Sequence, residues 1–199
     1  LKRVNLKEAN LSLANLTRAN LSKANLRKAK LSETVLKETN LSQSFLQHAN
    51  MCSANFEGAN LSGADLSGAN LEHANLSEID LSNVTLSRAD LHNANLKGAC
   101  LNEGILDRAL LRSADLSGAD LTGANLSEAN FSQAILSDSI LTRSNLSFAF
   151  LAGTNLSRAN LTQANLEGAD FYHAIMVGVD LGGTDLSGVH LRRADLSDS

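Results

Sequence analysis

The 199-residue sequence contains no proline and no tryptophan, and only 4% of its residues are aromatic. Its two cysteines, Cys52 and Cys100, fall at outward positions about 10 Å apart in the repeat, which is too far for a disulfide. No stretch reaches the roughly 18 consecutive apolar residues of a membrane-spanning helix, and no secretory signal is visible. We therefore predict no membrane span in this segment. Because the thiols are expected to be free, we predict a reducing compartment, the cytoplasm.

An apolar residue returns at every fifth position, from Leu1 to Leu196. All 40 of these positions, here called centres, are apolar, and 35 of them are leucine. The residue two before the centre is alanine at 26 of 39 places. The residue directly before the centre, here called the Asx position, is Asn or Asp at 27 of 39 places. The repeating unit is therefore Ala-(Asn/Asp)-Leu-polar-polar.

A period of five fits neither a helix nor a flat strand. A helix turns about 100° per residue and would scatter the centres around its circumference, and a strand would send successive centres to opposite sides. A short extended piece followed by a corner fits, because the small residue and the centre then both point inward. Eleven of the 13 glycines lie two places after a centre, where a type II turn favours positive φ. Four corners close a square, so we predict an all-β solenoid of about ten 20-residue coils, stacked at roughly 4.8 Å.

Three runs resemble the consensus of a known family most closely: Ala59-Asn60-Leu61-Ser62-Gly63, Ala64-Asp65-Leu66-Ser67-Gly68 and Ala119-Asp120-Leu121-Thr122-Gly123. They are similar to the pentapeptide-repeat family, and the resemblance covers the whole chain. It implies a right-handed quadrilateral β-helix. The family is especially abundant in cyanobacteria, and most members have no known biochemical activity. In some cyanobacterial members the rod follows membrane-spanning segments, and another subset resembles DNA in shape and charge and binds DNA gyrase.

The uninterrupted period predicts one domain over residues 1–199. The pattern begins at Leu1 rather than after a methionine and shows no divergent capping repeat. We interpret the chain as an excerpt of a longer protein, and a membrane tether through a segment outside it is compatible with this interpretation. The alternative is end-to-end self-association, which would cover the open first and last coils.

Charge is unevenly distributed along the chain. Residues 1–50 carry nine Lys or Arg against three Glu, a net charge of +6, whereas the remaining residues carry −10. The basic coils either meet an anionic surface or reflect free variation of exposed positions. No aromatic residues are interleaved with these bases for stacking on nucleobases, so we do not expect nucleic acid as a partner.

The later repeats contain apolar residues where Asn or Asp is usual. These residues should face outward, and the 20-residue period places Leu110, Phe150 and Tyr172 on one wall, with Phe148 at its adjoining corner. Exposed apolar groups collected on one wall mark an interaction surface, and aromatic residues are typical of its energetic centre. The alternative is tolerated variation. The predicted partner surface comprises Leu110, Phe148, Phe150, Tyr172, Ile135 and Ile175.

Candidate sites for chemistry are few. Cys52, Glu72 and His92 fall in one column, with His73 beside Glu72, but a flat wall offers no tetrahedral convergence. A polar ladder is the alternative that we favour over a metal site. Phosphate-binding loops, cysteine pairs at metal spacing and paired carboxylates in an apolar pocket are absent, and the Leu and Ala interior leaves no cleft. We therefore expect no enzyme, no cofactor and no small-molecule substrate.

Two functional hypotheses follow. The first is a non-catalytic scaffold rod that binds another protein or flanking domains of its own chain. The second is a DNA mimic that binds a topoisomerase, namely gyrase, which the rod shape and the acidic later coils favour. Interruptions of the Asp positions by Ile, Phe and Cys, together with the basic first 50 residues, argue against the second.

Overall fold

The computed structural model describes all residues from Leu1 to Ser199. It contains no helix, and extended structure is limited to single-residue parallel β-bridges. Each bridge joins an Asx position to the one 20 residues later, from Asn5 with Asn25 to Ile175 with Asp195. The constant step of 20 confirms the predicted all-β quadrilateral β-helix. No helix with the length and apolarity to cross a bilayer is present.

Coils and faces are numbered along the chain. Coils 1 to 9 hold 20 residues each, and coil 10 holds the last 19 residues, ending at Ser199. Faces 1 to 4 are defined by the Asx positions of coil 1, which are Asn5, Asn10, Asn15 and Asn20. Residues 20 apart therefore lie on the same face in adjacent coils. The two residues after each centre form the corner that follows the face.

Every corner has the same backbone conformation. The N–H of the small residue donates to the carbonyl oxygen of the preceding centre, as Ala14 does to Leu11 at 3.0 Å. The second corner residue has a positive φ at all 40 corners, and at 29 of them it is not glycine. The left-handed conformation costs an L-residue roughly 1–2 kcal/mol. Stacking of the coils must therefore outweigh this strain, and glycine marks only a minority of the corners.

Hydrogen bonds join each coil to the next. The N–H of a centre donates to the carbonyl 19 residues later, as Leu11 does to Lys30 at 2.7 Å. The N–H at an Asx position donates to the small residue 21 positions earlier, as Lys30 does to Ala9 at 2.9 Å. Because the backbone makes these bonds, outward side chains are free to vary without loss of the fold.

The core is one continuous cluster, formed by the centres and the small residues of all four faces. From coil 2 to coil 9 the centres are buried, including Phe56, Phe131 and Phe171 at 0% exposure. Each buried leucine contributes about 1.5–3 kcal/mol. In coils 1 and 10 Leu1 is exposed and the other centres are half-buried, since a coil lies on only one side of them.

Hydroxyl residues replace alanine at several inward positions. Thr154 donates from Oγ1 to the Phe131 carbonyl at 2.8 Å, and Ser144 donates from Oγ to the Leu141 carbonyl at 2.7 Å. The Oγ of Ser44, five coils before Ser144 on the same face, has no hydrogen-bond partner. Most of these buried hydroxyls are thus satisfied by a nearby carbonyl, as burial requires.

Candidate functional site

The Asx position has a defined structural role. Asn or Asp fills it at 27 of 39 places, and each accepts a hydrogen bond through Oδ1 from the backbone N–H two residues later. This Asx turn pre-shapes the corner that follows. Sequence reasoning missed this role, although the strict Asn or Asp preference was a usable signal.

Apolar residues at the Asx position forgo that bond. A hydrogen bond of this kind contributes about 0.5–1.5 kcal/mol, and an apolar replacement also exposes its own surface to water. Places where a chain breaks its local rule without a compensating gain are candidates for function. After residue 100 there are six such places: Ile105, Leu110, Ile135, Ile140, Phe150 and Ile175, all exposed as predicted.

The structure gathers the predicted site residues on two adjacent faces. Leu110 and Phe150 lie on face 2, each bridged to Asn130 between them. Ile135 and Ile175 lie on face 3, each bridged to Asn155. Faces 1 and 4 carry one apolar Asx residue each over the same coils. We call the following residues, which are 37–53% exposed, the apolar patch: Leu110, Ile135, Phe148, Phe150, Tyr172 and Ile175.

The two aromatic corner residues frame face 2. Phe148 lies at the corner between faces 1 and 2, and Tyr172 at the corner between faces 2 and 3. Phe148 has a φ of 57°, which is unusual for an aromatic residue. Its ring lies on Gly168 in the next coil, since a Cβ on Gly168 would be 2.6 Å from the Phe148 Cδ1. The missing side chain of Gly168 therefore makes room for the exposed ring.

Cationic residues that sequence reasoning overlooked surround Tyr172. An N–H of the Arg193 guanidinium lies 3.5 Å from the Tyr172 hydroxyl, and the same Nη1 lies 3.2 Å from the His173 Nε2. The Arg192 guanidinium carbon is 5.9 Å from the Tyr172 ring centroid, and the His173 ring meets the tyrosine edge-on. The 20-residue step places 192 and 193 next to 172 and 173, so the period alone could have predicted the cluster.

The side chains considered for metal binding, those of Cys52, Glu72, His73 and His92, do not converge on one point. Glu72 pairs with His73 at 3.5 Å, while His92 turns its Nδ1 to Asp90 at 2.5 Å. The thiol of Cys52 lies 3.7 Å from the Ser53 hydroxyl. No group of three His, Cys, Asp or Glu side chains is arranged to hold a metal ion, and Cys52 and Cys100 are free thiols, as predicted.

The surface has two shallow polar notches, of about 430 and 410 Å³. They lie where Gly63 and Gly68 leave gaps in the corner columns, and no hydrophobic side chain lines either one.

Two carboxylates in the last coil have a perturbed pKa. Hydrogen bonds from Ser187 and Ser197 lower the pKa of Asp185 and Asp195. A lowered pKa holds these carboxylates ionised, which is the reverse of what a general acid needs at neutral pH.

The basic first coils are only partly neutralised. Arg18 pairs with Glu38 at 2.8 Å and Lys37 with Glu57 at 2.6 Å. We expected no aromatic residue among these bases, but this expectation was wrong, because the fold brings Phe45 to 4.4 Å from the Arg27 guanidinium carbon. Arg27 covers that ring face, so Phe45 is not an open stacking platform.

Comparisons with known proteins agree with this geometry. A family model described as Pentapeptide repeats matches residues 1–37, 29–68, 64–102, 105–143, 139–178 and 174–199. Among curated proteins no match was found.

Two solved structures show how far the similarity extends. The pentapeptide-repeat protein HetL of the cyanobacterium Nostoc sp. strain PCC 7120, involved in the regulation of heterocyst differentiation, is 36% identical. It aligns over 97% of this chain and 87% of its own, with a TM-score of 0.80. A trypsin-treated form of QnrB1, a plasmid-mediated fluoroquinolone resistance protein, is 19% identical over 85% of this chain and 89% of its own, with a TM-score of 0.58. The QnrB1 likeness concerns the fold alone.

Proposed function

Because the chain belongs to the pentapeptide-repeat family, whose members are generally non-catalytic structural or interaction proteins, we propose that it is a non-catalytic rod that binds another protein. The binding surface in this proposal is the apolar patch of coils 6–9. Free cysteines support a reducing location, the cytoplasm. The similarity to HetL supports a cyanobacterial origin.

One observation carries this proposal. Four residues on faces 2 and 3 forgo the Asx turn and expose apolar side chains instead, although 27 other Asx positions in the chain make that bond. The aromatic side chains of Phe148 and Tyr172 extend the same surface to the corners of face 2. Exposed apolar side chains collected on two adjacent faces are typical of protein-interaction sites, and aromatic residues commonly contribute most of the binding energy there.

The distribution of charge gives DNA mimicry little support. A mimic needs a continuous acidic strip, and face 3 with its corner is the most acidic part of the rod. Its carboxylates are interrupted by four cations, and Arg18 and Arg158 pair with two of those carboxylates. The four cations are Arg18, Lys37, Lys97 and Arg158.

The test replaces each patch residue by the residue typical of its position. In this consensus variant Asn replaces Leu110, Ile135, Phe150 and Ile175, Ser replaces Tyr172, and Gly replaces Phe148. Asn restores the Asx turns and Gly relieves a positive φ, so the variant should be at least as stable as the wild type. A control variant carries Ile105→Asn and Ile140→Asn, the same change in the same coils on faces 1 and 4.

The measurement is capture from a cyanobacterial extract, followed by titration of each captured protein after purification. We expect a partner that binds the wild type and the control equally and binds the consensus variant at least about tenfold more weakly. Equal affinity for all three proteins would contradict the assignment of this surface.

A further inference from the structure

Face 2 differs in charge from the other faces in the second half of the rod. Among residues 101–199, face 2 and its following corner have a net charge of +2, whereas faces 1, 3 and 4 with their corners have −3, −3 and −2. The charged residues of face 2 are Arg112, Asp170, Arg192 and Arg193. Those of the other faces are Asp107, Arg108, Glu128, Glu167 and Asp185 on face 1, Asp115, Asp138, Arg158, Asp195 and Asp198 on face 3, and Glu103, Asp120, Arg143 and Asp180 on face 4.

The three arginines of face 2 have no carboxylate within 4 Å. Arg112 donates from Nε and Nη2 to the Gln133 Oε1 at 3.3 and 3.2 Å, and Arg193 contacts the Tyr172 hydroxyl and the His173 ring. By contrast, Arg108 and Arg158 on other corners pair with carboxylates. The face 2 guanidinium groups therefore have no carboxylate partner within the chain and remain open to an external anion.

The only carboxylate of this stretch is already engaged. The Asp170 Oδ1 accepts the Tyr172 N–H at 3.0 Å, as in the other Asx turns. Its bridge partner one coil later is His190. Asp170 keeps its negative charge, and the three arginines outnumber it to give face 2 its net charge of +2.

The arginines lie at both ends of the apolar part of face 2. Arg112 is in coil 6 and Arg192 and Arg193 are in coil 10, while Phe150 and Tyr172 lie in coils 8 and 9 between them. Four coil steps correspond to roughly 19 Å. A segment of about six extended residues spans that distance.

We propose that face 2 of coils 6–10 binds an acidic protein segment with apolar side chains. The apolar groups of the segment cover Phe150 and Tyr172, and its carboxylates pair with the arginines at each end. Guanidinium groups bind carboxylates with two parallel hydrogen bonds, which fixes orientation. The other three faces repel such a segment, so the same charge pattern that attracts it to face 2 excludes it elsewhere. This inference rests on the proposed protein-binding function and adds the chemistry of the partner.

The experiment is a selection of displayed random peptides of about 12 residues on the immobilised full chain. We expect the recovered peptides to be rich in Asp and Glu and to contain aromatic or aliphatic residues. A representative peptide should bind the triple variant Arg112→Gln, Arg192→Gln, Arg193→Gln at least about tenfold more weakly than the wild type. Its affinity should also fall between about 50 mM and about 500 mM salt.

The matched control removes the same charge from the other faces through Arg108→Gln, Arg143→Gln and Arg158→Gln. Peptide affinity for this control should be unchanged. Recovery of neutral or basic peptides, recovery of none, or equal weakening in both triple variants would overturn the inference.

The two proposals fail in different ways. If the captured cellular partner loses affinity for the consensus variant but not for the face 2 arginine variant, the protein-binding function stands and the acidic partner is wrong. If the consensus variant keeps full affinity, the binding surface itself is wrong.

Discussion

Residues 1–50 and residues 101–199 have the same core and opposite surfaces. Both are built from buried centres under positive-φ corners, yet the first stretch has a net charge of +6 and the second of −6. At its Asx positions the first has one exposed apolar residue, Phe45, and the half-buried Val35, whereas the second exposes six apolar residues. In this fold the interior therefore places almost no constraint on the surface, and differences in function between regions must be sought in outward positions.

The largest expected effect tests whether the core is uniform. Leu41 and Leu141 are buried on the same face, five coils apart. Leu41→Asp and Leu141→Asp each bury a carboxylate without a partner, and each should lower the free energy of unfolding by more than about 4 kcal/mol. Thermal melting followed by circular dichroism measures this loss, with the exposed corner substitution Ser113→Asp as control. A small loss in one region only would show that the two halves do not share one cooperative core.

A second pair of variants distinguishes the two regions at a single atom. The Ser44 hydroxyl is buried without a partner, whereas the equivalent Ser144 hydroxyl donates to the Leu141 carbonyl. Ser44→Ala should stabilise the rod by about 1 kcal/mol, and Ser144→Ala should destabilise it by about 1 kcal/mol. Urea unfolding of both variants gives the two signs directly. Shifts of the same sign would mean that the hydroxyl environments are alike.

The smallest effect concerns exposed ion pairs at the corner after face 3. Hydrogen bonds and charge from Arg18 lower the pKa of Glu38, with Lys37 also contributing, and Arg158 likewise lowers the pKa of Asp138. A carboxyl pKa that is lower in the folded state stabilises the fold above the ordinary value of about 4. That stabilisation is lost as the pH falls through the lowered value.

Arg158→Gln should therefore reduce Tm slightly at neutral pH and remove part of the loss of Tm on acidification. Arg18→Gln should have a smaller effect, because Lys37 still lowers the pKa of Glu38. Melting curves between about pH 6 and about pH 2.5 at low salt measure both effects. A larger effect for Arg18→Gln would reverse the expected order, and Arg143→Gln, a substitution without an ion pair, serves as control.

The five-residue period was sufficient to predict the fold, because only one chain geometry turns that period into a continuous apolar interior. It also placed Leu110 and Phe150 on one face. It did not predict the contact between Phe148 and Gly168, which depends on a ring conformation rather than on spacing. Nor did it predict that the Phe45 ring lies beside the Arg27 guanidinium, since side-chain rotamers decide whether residues on the same face of adjacent coils touch.

The equivalence of the four corners has a consequence for how such surfaces change. Inserting one pentapeptide before coil 6 would leave every inward column continuous but turn all later coils by a quarter of a revolution relative to the earlier ones. Face 2 of the second half would then continue face 3 of the first half. Gain or loss of a single repeat thus changes which faces of the two halves lie in line. This creates a new surface without any point mutation and without disturbing the core.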